Sequence, residues 1–150
     1  MEPLSPRALA ASDLVIEVFR ANGALLAAGD DLARPAGLTS ARWQVLGVID
    51  HAPQTVADVA RTMGLRRQSV RQTADALVAE GLAAFTDNPR HRRAKLLAPT
   101  EAGRRALADV ERRHAVWADE LAAALDPAQV ETATAALRAL TAALEPGANP

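Results

Sequence analysis

The sequence predicts a mainly α-helical chain with one small β-hairpin, and three observations carry that expectation. Apolar residues recur at helical spacing along most of the 150 residues. Two strand-like runs, 82–86 and 94–98, flank a turn-prone and very basic loop, Asp87-Asn88-Pro89-Arg90-His91-Arg92-Arg93. Capping residues and glycines punctuate the chain where short helices joined by tight turns need them.

Taken in order, Pro6 suits a first helical turn, and Leu14, Val15, Val18, Phe19, Leu25 and Leu26 form the stripe of a long helix reaching Gly29. Gly29-Asp30-Asp31 and Arg34-Pro35-Ala36-Gly37 are expected to break it. Thr39 can cap a short helix carrying Trp43, Val45, Leu46 and Ile49, which ends near His51-Ala52-Pro53. Thr55 with Asp58 resembles a capping box for a second short helix with Val56, Val59, Ala60 and Met63. Gly64-Leu65 is a tight break. A third helix, from about Arg67 to Glu80, turns Val70, Ala74, Leu77 and Val78 inward and stops at Gly81. Beyond the hairpin, Thr100 caps a long helix with inward positions Leu107, Val110, His114, Trp117, Leu121 and Leu125, a near-heptad seam that calls for a long partner. Asp126-Pro127-Ala128-Gln129 opens the last helix, with the stripe Val130, Ala133, Leu137, Leu140 and Leu144. No repeat appears, and no linker is long enough to divide two domains.

Several function classes drop out on composition. Charge interrupts every apolar stretch before it could span a bilayer, and the N-terminus lacks a signal-peptide pattern, so a cytoplasmic chain with no membrane partner is expected. The absence of cysteine removes disulfides, thiolate metal sites and cysteine nucleophiles. His51, His91 and His114 are too scattered for a metal set, and Ser69 has no plausible His/Asp partner. With no P-loop or dinucleotide fingerprint either, the expectation is no enzyme, no metal and no cofactor.

The net charge of −1 conceals a split. Residues 61–105 hold ten basic and four acidic side chains, a balance of +6, while the remainder carries −7. A basic middle between acidic ends suits a segment that faces a polyanion. The third helix opens with Arg66, Arg67, Gln68 and Ser69, then Arg71, Gln72 and Thr73. Arginine can bond guanine O6 and N7 together, glutamine can do the same with adenine N6 and N7, and Ser or Thr bonds either base. A helix so placed after a glycine turn can present these groups to a major groove. Arg90, His91, Arg92 and Arg93, at the hairpin tip, can reach a minor groove or its phosphates.

At this point the residues resemble a family. Leu38-Thr39-Ser40-Ala41-Arg42-Trp43-Gln44-Val45-Leu46 is similar to the opening of the winged domain of MarR-type (multiple antibiotic resistance regulator) transcription factors. Val59-Ala60-Arg61-Thr62-Met63-Gly64-Leu65, Val70, Leu77 and Glu80-Gly81-Leu82 resemble its helix-turn-helix. Asn88-Pro89-Arg90-His91-Arg92-Arg93-Ala94-Lys95-Leu96 and Pro99-Thr100-Glu101-Ala102-Gly103 resemble its wing and the start of its long fifth helix. The resemblance implies a winged helix-turn-helix DNA-binding domain, about 38–99, and a helical dimerisation domain formed by the N- and C-terminal helices, about 6–29 and 100–145. It further implies a homodimer on a palindromic double-stranded operator, a repressor relieved by a small aromatic or phenolic ligand.

Two departures from the family pattern bear on mechanism. Many wings read Asp-x-Arg-Asp-x-Arg; here Arg90 and Arg93 match the arginines, while Asn88 and His91 replace the acids. A less preorganised, pH-sensitive wing is the expectation. Arg66 also stands where the recognition helix often has a capping Ser. Phe19, Asn22, Trp43, His114 and Trp117 are candidates to line an effector crevice, since aromatics offer stacking area while His and Asn orient a polar group. Plain core or dimer packing is the competing reading for His114 and Trp117. A ligand-independent DNA-binding or architectural protein, or a winged-helix protein-interaction module, are the rival functions.

Overall fold

The computed structural model describes residues 4–145. Its order is α1 (Pro6–Ala33), a 3-10 turn (Arg34–Ala36), α2 (Ser40–His51), α3 (Val56–Met63), α4 (Arg67–Ala79), β1 (Ala83–Thr86), β2 (Leu96–Pro99), α5 (Glu101–Ala123) and α6 (Pro127–Leu144). The mainly helical class with one hairpin therefore holds. No helix among the described residues is long and apolar enough to cross a membrane. The chain separates into two compact units, one running to Glu111 and one from Arg112, with the division inside α5.

The first unit contains the core. Leu46 and Ile49 of α2, Val59 of α3, Val70 and Leu77 of α4, Leu97 of β2 and Val110 of α5 are essentially without exposure. Their spacing on each helix is the apolar periodicity seen in the sequence, so each short helix is held by burying one face rather than by its own propensity. Caps set the helix starts. The Thr39 and Thr55 hydroxyls accept from the Arg42 and Asp58 amides at 3.3 and 3.1 Å. Gly64 and Gly81 close α3 and α4 with positive φ (63° and 74°), a conformation that disfavours any side chain.

The end of α1 differs from expectation. Gly29-Asp30-Asp31 does not break the helix, which continues to Ala33; the stop is the Arg34–Ala36 turn and Gly37, at φ 74°. Gly29 serves packing instead. A Cβ there would meet Ser40 Oγ at 2.6 Å, and the neighbouring Asp30 carboxylate accepts from the Ser40 amide at 2.7 Å. Glycine thus lets α1 approach the first turn of α2, which Asp30 also caps. Gly103 has the same role at the start of α5, where a Cβ would collide with the Leu82 carbonyl. The Thr100 hydroxyl donates to the Gly81 carbonyl at 2.7 Å and accepts from the Gly103 amide at 3.1 Å, so one side chain both caps α5 and ties it to the end of α4.

The hairpin is shorter and shifted: β1 starts at Ala83 rather than Leu82, and β2 runs to Pro99 rather than from Ala94. Its antiparallel register pairs Ala83 with Pro99 and Phe85 with Leu97.

The predicted seam of α5 is only partly inward. Leu107 and Val110 are buried and His114 and Trp117 half-buried, but Leu121 is 39% exposed; Leu125, 45% exposed, lies beyond the helix end. In the second unit, Asp126 caps α6 and Pro127 begins it, as read from the sequence. Among the described residues from Arg112 onward none is buried.

Candidate nucleic-acid interface

The basic half of the first unit gathers on α4 and the hairpin. Val70, Ala74 and Leu77 seat one side of α4 on the core, which turns Arg66, Arg67, Gln68, Ser69, Arg71 and Gln72 outward as exposed residues. Arg66 is the N-cap residue, extended at φ −73° and ψ 139°, and its side chain makes no capping hydrogen bond. The first-turn amides of α4 therefore lack the hydroxyl that a capping Ser would supply, and they remain open to an external acceptor. Thr73 is less well placed for a base: it is half-buried and its hydroxyl donates to the Ser69 carbonyl at 3.2 Å.

Helix α3 is braced in front of α4. Its capping pair is tied twice, the Thr55 hydroxyl accepting from the Asp58 amide at 3.1 Å and donating to the Asp58 carboxylate at 2.7 Å. The Thr55 hydroxyl bond to Asp58, then the Arg61 hydrogen bond, hold the Asp58 carboxyl below the ordinary aspartate value.

The wing carries Arg90, His91, Arg92, Arg93 and Lys95, all exposed. Among the described residues, Arg66, Arg67, Arg90, Arg92, Arg93 and Lys95 form no salt bridge, whereas Arg42, Arg61, Arg71, Arg104 and Arg105 each pair with an acid. Cations left without acids have their charge available to a polyanion.

With both wing acids missing, the tip backbone is organised by Asn88. Asn88 Oδ1 accepts from the Arg90 amide at 3.0 Å while Nδ2 donates to the Ala94 carbonyl at 2.9 Å. The Asn88 carbonyl also accepts from the His91 amide, and the His91 carbonyl from the Ala94 amide. An amide side chain, with one acceptor and one donor, spans the loop in a way a carboxylate cannot. The sequence marks Asn88 as part of a turn-prone loop, and its side chain is what closes that turn.

Gln54 was missed altogether. It exchanges backbone hydrogen bonds with Leu97 at 3.2 and 2.8 Å, pinning the base of the wing to the α2–α3 connection. Sequence offers little sign of a one-residue bridge.

Between these elements lies a cleft of about 570 Å³, bounded by the first turn of α3 (Thr55, Val56, Ala57), by Arg67, Gln68 and Arg71 of α4, and by Phe85, Arg93, Ala94 and Lys95 of the wing. Four cationic side chains line it. Arg71 is the best-held of them, with Nε 3.2 Å from the Asp75 carboxylate and its guanidinium 5.3 Å from the centre of the Phe85 ring.

The candidate effector residues are dispersed over the elements. Phe19 is 71% exposed on α1, with Asn22 exposed beside it; Trp43 is half-buried against the core. In the second unit His114 and Trp117 come together, ring centroids 5.7 Å apart and planes tilted by 33°. A separate cavity of about 370 Å³, lined by Gln44, Gly47, Val48, Asp50, His51, Met63 and Glu111, includes none of the five.

A family model described as MarR family matches residues 36–94, the segment that holds α2 to α4, β1 and the loop at the wing tip. An uncharacterized protein of Mycobacterium tuberculosis is 41% identical over 132 residues, covering 88% of this chain and 92% of that one. A MarR family transcriptional regulator from Streptomyces coelicolor superposes with a TM-score of 0.77 at 27% identity, over 93% of this chain and 96% of that one. The transcriptional repressor CouR, bound to a 23-mer DNA duplex, does so with a TM-score of 0.77 at 26% identity, over 93% and 99%. CouR from Rhodococcus jostii has also been solved with p-coumaroyl-CoA, in a structure that matches with a TM-score of 0.70 at 27% identity, over 93% and 94%. With its helix order, its winged helix-turn-helix and a relative of this identity along nearly its whole length, the chain belongs to the MarR family, whose members are transcriptional regulators and not enzymes.

Proposed function

We propose that the chain binds double-stranded DNA as a homodimer, at a palindromic operator, and represses nearby genes until a small aromatic ligand releases it. The observation that carries the DNA reading is the set of unpaired cations on α4 and the wing, three of which, Arg67, Arg93 and Lys95, line one open cleft. Arg71 and Gln72 are assigned to base edges in the major groove, with Arg66, Arg67, Gln68 and Ser69 on bases or phosphates at the open helix N-terminus. Arg90 enters the flanking minor groove, and Arg92 and Arg93 rest on phosphates. CouR, which shares the fold on a DNA duplex, supports this docking.

Dimerisation is supported by large apolar side chains left exposed in one chain: Leu14, Phe19 and Leu25 on α1, Leu137 and Leu144 on α6. These helices, with α5, are the proposed dimerisation element. The effector part rests on Phe19, Asn22, Trp43, His114 and Trp117, and on a related regulator having p-coumaroyl-CoA as a ligand.

The test is selection of duplexes from a random pool by the purified chain. The expected result is an enriched palindrome whose affinity falls ~10³–10⁵-fold between ~50 and ~200 mM salt, as for a dimer that neutralises ~6–10 phosphates. Failure to enrich any sequence would overturn the reading. Release of the selected duplex by aromatic acids or their thioesters tests the effector part; retention across such a panel removes it.

A further inference from the structure

Asp75 is the only acid between Arg66 and Ala79, on a helix surface otherwise suited to a polyanion. A solvated acid there repels phosphate and gains nothing from DNA. Its placement supplies a reason. Both carboxylate oxygens lie 3.2 Å from Arg71 Nε, one helical turn earlier. On another side, Phe85 of β1 sets its ring 5.3 Å from the Arg71 guanidinium carbon. Phe85 is half-buried, packed against the core and paired with the buried Leu97 across the hairpin, so the ring has a fixed seat. Arg67, one turn earlier on the same helix and lining the same cleft, adds like charge that discourages Arg71 from folding back. With Nε occupied and one face covered, the two Nη groups form the available edge, and the side chain lines the cleft.

We propose that Asp75 and Phe85 are positioning residues that hold Arg71 with its Nη edge outward, so that it reads guanine O6 and N7 at one position of each half-site. A flexible arginine could bond phosphate or base alike; one fixed on two sides loses less freedom on binding and has a narrower choice of acceptor. This inference rests on the operator reading above.

The test is discrimination, measured with the duplex that the native chain selects and with every single-base variant of one half-site, at one salt concentration. For Asp75→Asn, discrimination should fall about tenfold at a single guanine position, within the range expected for a bidentate arginine contact. Affinity for unrelated duplex should hold or rise, because an acid has left the surface, and the thermal midpoint should stay put. Phe85→Leu keeps apolar bulk and should lose discrimination at the same position. In an Arg71→Ala background, Asp75→Asn should remove no further discrimination, since the two act as one unit. If Asp75→Asn tightens selected and unrelated duplexes equally, Asp75 is a solvated charge and the inference is overturned. Loss spread evenly over all positions, with a lowered thermal midpoint, overturns it too, as a general structural role. A native chain that selects no sequence overturns the operator reading and this inference with it, whereas unchanged discrimination in Asp75→Asn overturns this inference alone.

Discussion

Leu46, Leu77 and Leu97 in the winged body are completely buried, while Leu25, Leu137 and Leu144 on the terminal helices are 54%, 44% and 74% exposed. Both sets sit at helical or strand spacing, so apolar periodicity alone does not separate them. The difference is that the body closes on itself: α2 to α4, the hairpin, the end of α1 and the first half of α5 surround one cluster that reaches from Ala33 to Val110. α6 and most of α1 form stripes whose large apolar residues stay partly exposed within one chain, and only Gly29 and Ala33 at the end of α1 are buried. Full burial of a leucine is worth roughly 1.5–3 kcal/mol, so leaving a row of them in water forgoes a large part of the stability available to the chain. The body is a finished core, and the terminal helices are half of one.

The largest expected effect comes from cutting that half-core. Removal of residues 126–150 deletes α6 and should leave an insoluble or unfolded chain; a well-folded monomer at micromolar concentration would contradict it, as would a monomeric intact chain in sedimentation.

Next is a contrast between two leucines. Leu46→Ala should cost about 2–5 kcal/mol, from the lost burial and the cavity left behind, whatever the protein concentration. Leu137→Ala should act through association, so its effect on the thermal midpoint should shrink as concentration rises. Equal concentration dependence in the two variants would erase the distinction between body and terminal helices.

Gly103→Ala sharpens the comparison at the joint between the body and α5. The new Cβ has to displace the Leu82 backbone rather than a side chain, so a loss of at least ~1–3 kcal/mol is expected in denaturant unfolding. Gly23→Ala, on α1 with open space around it in one chain, should cost nothing in the body.

Wing substitutions should leave stability alone and change only binding. Arg90→Ala should weaken operator affinity more than Arg92→Ala or Arg93→Ala, and all three should share the native thermal midpoint. The smallest effect belongs to His91, exposed at the tip. His91→Ala should weaken operator affinity by less than any of the wing arginine substitutions. A loss as large as that of Arg90→Ala would overturn this ranking.

Much of the body was legible because each of its signals is local. Thr39, Thr55, Asp126 and Gly81 fix ends through their own hydrogen bonds or backbone freedom, and the stripes of α2 to α4 report a buried face directly. The candidate DNA face was legible for the same reason, as arginines and glutamines at the start of one helix and at one loop tip. Gly29 was misread as a break because a glycine in a helix carries two meanings, and only the proximity of Ser40 selects close packing. The strand limits slipped by one or two residues because Ala and Leu suit either a strand or a turn edge, and pairing across the hairpin decided them.

By itself, then, the sequence determined the order of helices, their caps, the hairpin and the placement of cations, all of which depend on residues within one or two turns of each other. Only the tertiary structure decided which stripes close into a core and which stay open. It also decided that Asn88 spans the wing tip, that Gln54 ties the wing down, and that Asp75 and Phe85 hold Arg71 from two sides. The physical reason is that burial and side-chain orientation depend on groups distant in sequence, such as the Phe85 ring brought beside Arg71 by the turn at Gly81.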